Sequence, residues 1–108
     1  MITIDEKDGY PDGMTIDAEG MLWIAHWNGW QVSRWNPHTA TKLFTLPLPI
    51  ANVTSCTFGG PNLRDLYITT AQKGLTARQL EQQPMAGKLF VWKDYGHQGM
   101  RSFEYKGK

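Results

Sequence analysis

The sequence predicts an all-β chain: about two four-stranded antiparallel blades of a β-propeller, too few to close a ring. Three observations predict it. First, 108 residues carry five Trp, four Tyr and four Phe beside eleven Gly and six Pro. Aromatic and β-branched residues favour strands, and Gly and Pro punctuate them. Second, short runs alternate apolar and polar residues, with turn signals between them. Third, the order of runs repeats. Aligning "PDGMTID" with "VTSCTFG" places Asp12 on Thr54, 42 residues on. "LWIA" then matches "LYIT", and "VSRW" matches "LFVW", which puts Leu22 on Leu66 and Trp35 on Trp92. Four strands per unit and a spacing of about 40–50 residues mark a propeller blade.

The elements follow in order. "ITID" (2–5) alternates and is expected as a strand; within 1–5 it would be the outer strand of a preceding blade. The first blade spans 11–49. It starts at "MTID" (14–17), turns at "AEG" (18–20) and continues in the denser apolar run "LWIAHW" (22–27). Asn28-Gly29 carries the two-residue hairpin signal. "QVSRW" (31–35), the turn "NPHT" (36–39) and "KLFTLPL" (42–48), blunted by Pro47 and Pro49, complete it. The second blade spans 53–105: "VTSCTF" (53–58), "LYITTA" (66–71), "KLFVWK" (88–93) and "SFEY" (102–105). Residues 72–87 read as a surface insertion. Its "TARQLEQQ" is the one expected helix, about two turns, ending before Pro84 because a residue preceding Pro avoids helical backbone.

Totals exclude several functions. Eleven basic and ten acidic residues leave a net charge of +1, so no basic face for nucleic acid is implied. No apolar run approaches the roughly 18 residues of a membrane span, and "MITIDEKDGY" lacks the apolar core of a signal peptide. A single cysteine, Cys56, rules out an internal disulfide framework and fits a reducing compartment. The expected location is the cytoplasm, with no membrane or nucleic-acid partner.

Few residues carry chemistry. Pro11-Asp12-Gly13 reads locally as a turn tripeptide, because Pro presets φ and Gly accepts positive φ. Asp8, Asp12, Gly13 and Glu19 mimic four positions of a calcium-binding EF-hand loop. However, Tyr10, Pro11 and Ile16 break that pattern and the flanks read as strands. His26, His38 and His97 have no compact metal-ligand spacing. Cys56 lies on an inner strand and is expected as a small buried hydrophobe. Asp17 and Glu19 are expected to shape the turn at Gly20, with Asp65 in the comparable place of the second repeat. Trp23, Trp35 and Trp92 are expected between blades, whereas Trp27 and Trp30, beside the Asn-Gly turn, are the better surface contacts.

The residues of "PDGMTIDAEGMLWIAHWNGWQVSRWNP", followed by "TSCTFGG", "LYITTA" and "AGKLFVW", strongly resemble the SMP-30/gluconolactonase/regucalcin-like family. The resemblance covers nearly the whole chain and corresponds to about the C-terminal third of a family member. It implies a six-bladed propeller with one divalent cation at the mouth of its central channel, and hydrolysis of sugar lactones. It implies that Asp12 is a metal ligand and the general base. The cation would be Ca2+ in first place, with Zn2+, Mg2+ or Mn2+ as alternatives. The family's Glu and Asn ligands have no counterpart in this chain, so a ring must be completed by the remainder of a propeller or by further copies. By the repeat alignment, Thr54 and Ser55 are candidate pocket residues. The alternative is a non-enzymatic calcium-binding or assembly protein, or a truncated product without activity.

Overall fold

The computed structural model describes residues 2–60 and 63–93. Seven strands form two antiparallel sheets: β1 (Tyr10–Ile16), β2 (Leu22–Trp27), β3 (Gln31–Asn36) and β4 (Thr41–Pro47) in one, β5 (Val53–Gly59), β6 (Asp65–Thr70) and β7 (Phe90–Trp92) in the other. In each sheet the strands lie side by side in chain order, as in a propeller blade. The repeat holds at the level of pairing. Leu22 faces Trp35 in the first blade, and Leu66 faces Trp92 in the second. The strand expected at 102–105 lies outside the described residues.

The core lies between the blades. Each sheet turns one face inward: Trp23, Ala25 and Val32 from the first, Val53, Cys56, Phe58, Leu66 and Ile68 from the second. Side chains alternate across a strand, so the same period that marks the strands sorts these residues to one face. Trp23 is fully buried and meets Phe58 edge-on at 5.9 Å between ring centroids. Phe44 of β4 stacks on Trp92 of β7 at 5.7 Å. Trp23 and Trp92 therefore pack between blades, as expected. Cys56 sits in the same layer, and burial pushes its thiol up to about 12. It behaves as the expected small hydrophobe.

A polar knot closes one end of the first blade. Asp17 is fully buried. Its carboxylate accepts from the backbone N–H of Glu19 and Met21, from Trp23 Nε1 at 2.9 Å and from Arg34 Nε at 2.8 Å. Asp17 thus shapes the turn at Gly20, as the sequence suggests, and also ties together β2, β3 and that turn. Arg34 lies over the Trp23 ring, 5.8 Å from its centroid.

Three local expectations are corrected. Residues 2–5 belong to no strand; a strand needs a neighbour to take its backbone hydrogen bonds, and the blade expected to supply one is not in the chain. Pro11-Asp12-Gly13 lies inside β1 and is no turn. Asn28-Gly29 does not make a two-residue turn with both residues left-handed. Positive φ falls on Asn28 and Trp30, while Gly29 is needed for space, because a Cβ there would stand 2.0 Å from the Asp8 carbonyl oxygen. Most of residues 72–87 are exposed, and the segment is anchored at two points. Helix α1 (Ala77–Gln82) is capped by Thr76 and Gln79, each side chain bonding the other's backbone N–H. Just past it, Gln83 and Ala86 are buried, and Gln83 Oε1 accepts the N–H of Ala51. The described part of the chain has no helix long and apolar enough to cross a membrane.

Candidate functional site

β1 and β5 are the first strands of their blades and lie against each other. Gly13 is the contact point: a Cβ on it would meet Ser55 Oγ at 2.5 Å and the Thr54 carbonyl oxygen at 2.8 Å. The structure thus brings Asp12, Thr54 and Ser55, the three candidates, to adjoining stretches of backbone. Both strands break their register there. β1 gains one residue against β2 between Pro11 and Met14, and β5 gains one against β6 between Val53 and Ser55. The extra residue falls at Asp12–Gly13 in one blade and at Thr54 in the other. Such bulges re-aim side chains and are frequent beside active sites.

Asp12 is exposed, and among the described residues its side chain makes no hydrogen bond or ion pair. It keeps a full set of lone pairs to offer. Thr54 Oγ1 shares a 2.6 Å hydrogen bond with Thr69 Oγ1, so that hydroxyl is already partnered. Among the described residues, no three His, Cys, Asp or Glu side chains come together to hold a metal. A hard dication takes about six to eight oxygens. Among the described residues, Asp12 alone does not meet that need.

His26 stands opposite Pro11, immediately beside Asp12. It is fully buried. Its Nδ1 lies 2.8 Å from the Asp8 carbonyl oxygen and its Nε2 lies 2.6 Å from Ser33 Oγ. A carbonyl only accepts, so Nδ1 carries the proton. Ser33 accepts from Trp35 Nε1 at 2.6 Å and donates to Nε2. This chain of bonds suits a neutral imidazole. Burial pushes His26 below its ordinary value of 6.5, against the pull of the Asp8 carbonyl. Its contribution to stability is therefore present above 6.5 and is lost as the pH falls from there toward the lower folded value. The His26 ring-proton resonance is expected to titrate below 6.5 in the folded chain, with thermal stability falling over the same window. A midpoint at or above 6.5 would show that the ring is not held neutral. Sequence spacing suggested only a packed or rim histidine. Its partner Ser33 lies seven residues away on the next strand and emerges only from the pairing of β2 with β3. Of the other histidines, His38 sits in its turn, where its N–H bonds Asn36 Oδ1; His97 lies outside the described residues.

The segment after β6 sits at the same end of the sheets as Asp12. Asn52, nearly buried, joins the parts: its Oδ1 accepts from the Asn28 N–H and its Nδ2 donates to the Lys73 carbonyl. Between them lies a groove of about 310 Å³, bordered by Tyr10, Trp27, Asn28, Asn52 and Lys73 among others. The insertion reading gave no sign of this, because spacing alone does not say at which end of a sheet an insertion lands.

Comparison with known proteins now decides the family. The SMP-30/Gluconolactonase/LRE-like region matches residues 1–72, which includes Asp12, Thr54 and Ser55. The chain belongs to this family. It is 44% identical over 104 residues to the regucalcin of Danio rerio and 41% identical to that of Homo sapiens. Each alignment covers 96% of this chain and 35% of the relative, so the chain spans about a third of the length of the relatives it matches. Among solved structures, a luciferin-regenerating enzyme superposes with a TM-score of 0.78 at 36% identity, over 90% of this chain and 32% of that one. A calcium-binding protein, regucalcin, from Agrobacterium tumefaciens gives 0.72 at 26% identity, over 85% of this chain and 32% of that one. The two sheets are thus blades of this family's propeller, and the open ring matches the share of the relatives covered.

Proposed function

We propose that the chain supplies the Asp12 corner of a divalent-metal-dependent sugar lactone hydrolase, gluconolactonase-like in its reaction. The observation that carries this is Asp12 itself: an unpartnered carboxylate on a bulge, pressed through Gly13 against the matching bulge of the next blade. In that role Asp12 contributes one oxygen ligand and takes the proton of the attacking water. Thr54 and Ser55 line the substrate side. A bound dication, Ca2+ in first place, supplies polarisation of the lactone carbonyl. Its remaining ligands come from the rest of a propeller or from further copies of this chain, which also cover the open faces of the two blades.

A second reading rests on a separate observation. Among the described residues, no three His, Cys, Asp or Glu side chains gather to hold a metal, which suits a non-enzymatic calcium-binding or assembly role, or a product without activity. Hydrolysis of gluconolactone, followed by acid release with the particle mass recorded by light scattering, separates the two. The enzyme reading expects turnover that chelator abolishes and that Asp12→Asn lowers by about 10²–10⁴-fold, the range for a positioned general base. Calcium binding with no hydrolysis above the spontaneous rate would overturn it in favour of the second.

A further inference from the structure

The groove beside Asp12 has features that the lactonase reading does not use. Its floor is a cross-strand aromatic pair: Tyr10 of β1 lies directly opposite Trp27 of β2, and Tyr10 is 60% exposed. Its walls are the Asn28 turn and the Lys73–Leu75 segment, with the Asn52 and Gln79 amides between them. These walls are fixed. Asn52 bonds both of them, the Ala71 N–H bonds the Asn52 carbonyl, and the Gly29 and Trp30 N–H groups bond the Ala51 carbonyl. Its volume of about 310 Å³ stands at the lower end of small-molecule sites, which run from roughly 300 to 1,000 Å³.

Charge sets the class of ligand. Lys73 is the one charged residue bordering the groove, and among the described residues it makes no ion pair. Asp8 and Asp12, two residues to either side of Tyr10, do not border it. A lysine ammonium is a compact point charge that suits carboxylate or phosphate oxygens. Aromatic side chains suit a ring that is apolar on its faces and hydroxylated at its edge. A larger hollow of about 590 Å³ lies between Thr70 and Lys88. There, however, no aromatic side chain is among the described lining residues, and Thr70 Oγ1 already donates to the Lys88 carbonyl and accepts from the Gly87 N–H.

We propose that this groove is a subsite for a sugar ring bearing an acidic group, with the ring on Tyr10 and Trp27 and the acid on Lys73. That the ring is a sugar rests on the lactonase reading. In that setting the groove holds the end of the substrate remote from the reacting ester, since Tyr10 stands about 7 Å along the strand from Asp12. The preferred substrate is then an acidic sugar lactone.

The test is binding to the full chain by two-dimensional NMR, without metal, so that it is independent of hydrolysis. The probes are methyl β-glucoside, methyl β-glucuronide and glucose 6-phosphate. At least one acidic probe is expected to bind about tenfold or more tightly than the neutral glucoside. Shifts should be concentrated at the Trp27 indole and the Asn52 amide. Whether the glucuronide or the phosphate wins identifies the acid. Lys73→Gln, an exposed change, should reduce the preference to near one with the melting temperature unchanged. Equal affinities for all three, no binding, or a preference that survives Lys73→Gln would each overturn the subsite. If gluconolactone is not hydrolysed while the acidic probes still bind, the lactonase reading fails and the groove stands.

Discussion

Replacing Asp17 with alanine should destabilise the chain by about 3–5 kcal/mol, the cost of leaving a buried charge without its partner. Arg34 is the charge left behind: its side chain is 11% exposed, and its Nε donates to Asp17 at 2.8 Å. Its Nη2 reaches Glu19 at 2.6 Å, but that carboxylate is 68% exposed and screened by water, so it compensates little. The Trp23 indole and two backbone N–H groups lose their acceptor as well. Urea unfolding measures the loss. The double change Asp17→Ala with Arg34→Met should recover part of it, because it removes the stranded charge. A double variant no more stable than the single one would show that the ion pair is not the cause.

The same carboxylate sets the acid limit of the fold. Burial alone would raise it. The bonds from Trp23, Arg34 and the Met21 N–H, with the Arg34 charge, outweigh burial and hold it below the ordinary 3.8. Its contribution is therefore fully present above 3.8 and is lost as the pH falls through the lower folded value. That window opens at 3.8, whereas the His26 window opens at 6.5, so on acidification the His26 loss is expected to begin first.

Trp23→Ala should cost about 3–5 kcal/mol, as for other buried large-to-small aromatic changes. Trp23 is fully buried, meets Phe44 and Phe58 edge-on at 6.3 and 5.9 Å, and belongs to the layer between the blades. The loss is expected to appear as undocking of the two sheets. Hydrogen exchange should therefore accelerate on β5 and β6 as well as on β2. Trp23→Phe keeps much of the ring area and removes the indole N–H that bonds Asp17, so it should cost less. Trp23 and Asp17 share a hydrogen bond, so their double variant should lose less than the two single losses together. A cost under about 1 kcal/mol for Trp23→Ala would mean that the layer does not hold the blades together.

The strands were legible because alternation is a property of each strand alone. "LWIAHW" is β2 to the residue, and the partner of Leu22, Trp35, has its repeat counterpart in the partner of Leu66, Trp92. Even the register of β2 on β3 was available. Their pairs, from Ala25 with Val32 to Leu22 with Trp35, are symmetric about Asn28–Gly29. Following that symmetry would have placed Arg34 opposite Trp23, and hence near Asp17. What the sequence hid depends on non-local geometry. Pro11-Asp12-Gly13 has turn chemistry, yet pairing with β2 keeps it extended, and the extra residue becomes a bulge. Residues 2–5 alternate well but have no neighbour to pair with. The run "TARQLEQQ" before Pro84 announced the helix, whereas its place at the Asp12 end depends on the Asn52 and Gln83 side chains reaching across the link between blades.

The bulge at Asp12 has a twin at Thr54, in the same register of the next blade. The two blades therefore share an address as well as a shape. In each of the two blades the backbone gives one extra residue to the first strand at the same register, and the code for that residue is a single codon. A carboxylate in one blade and a hydroxyl in its neighbour are two spellings in one slot. The side chain offered at that slot can change by point substitution, with no change to the strands that carry it.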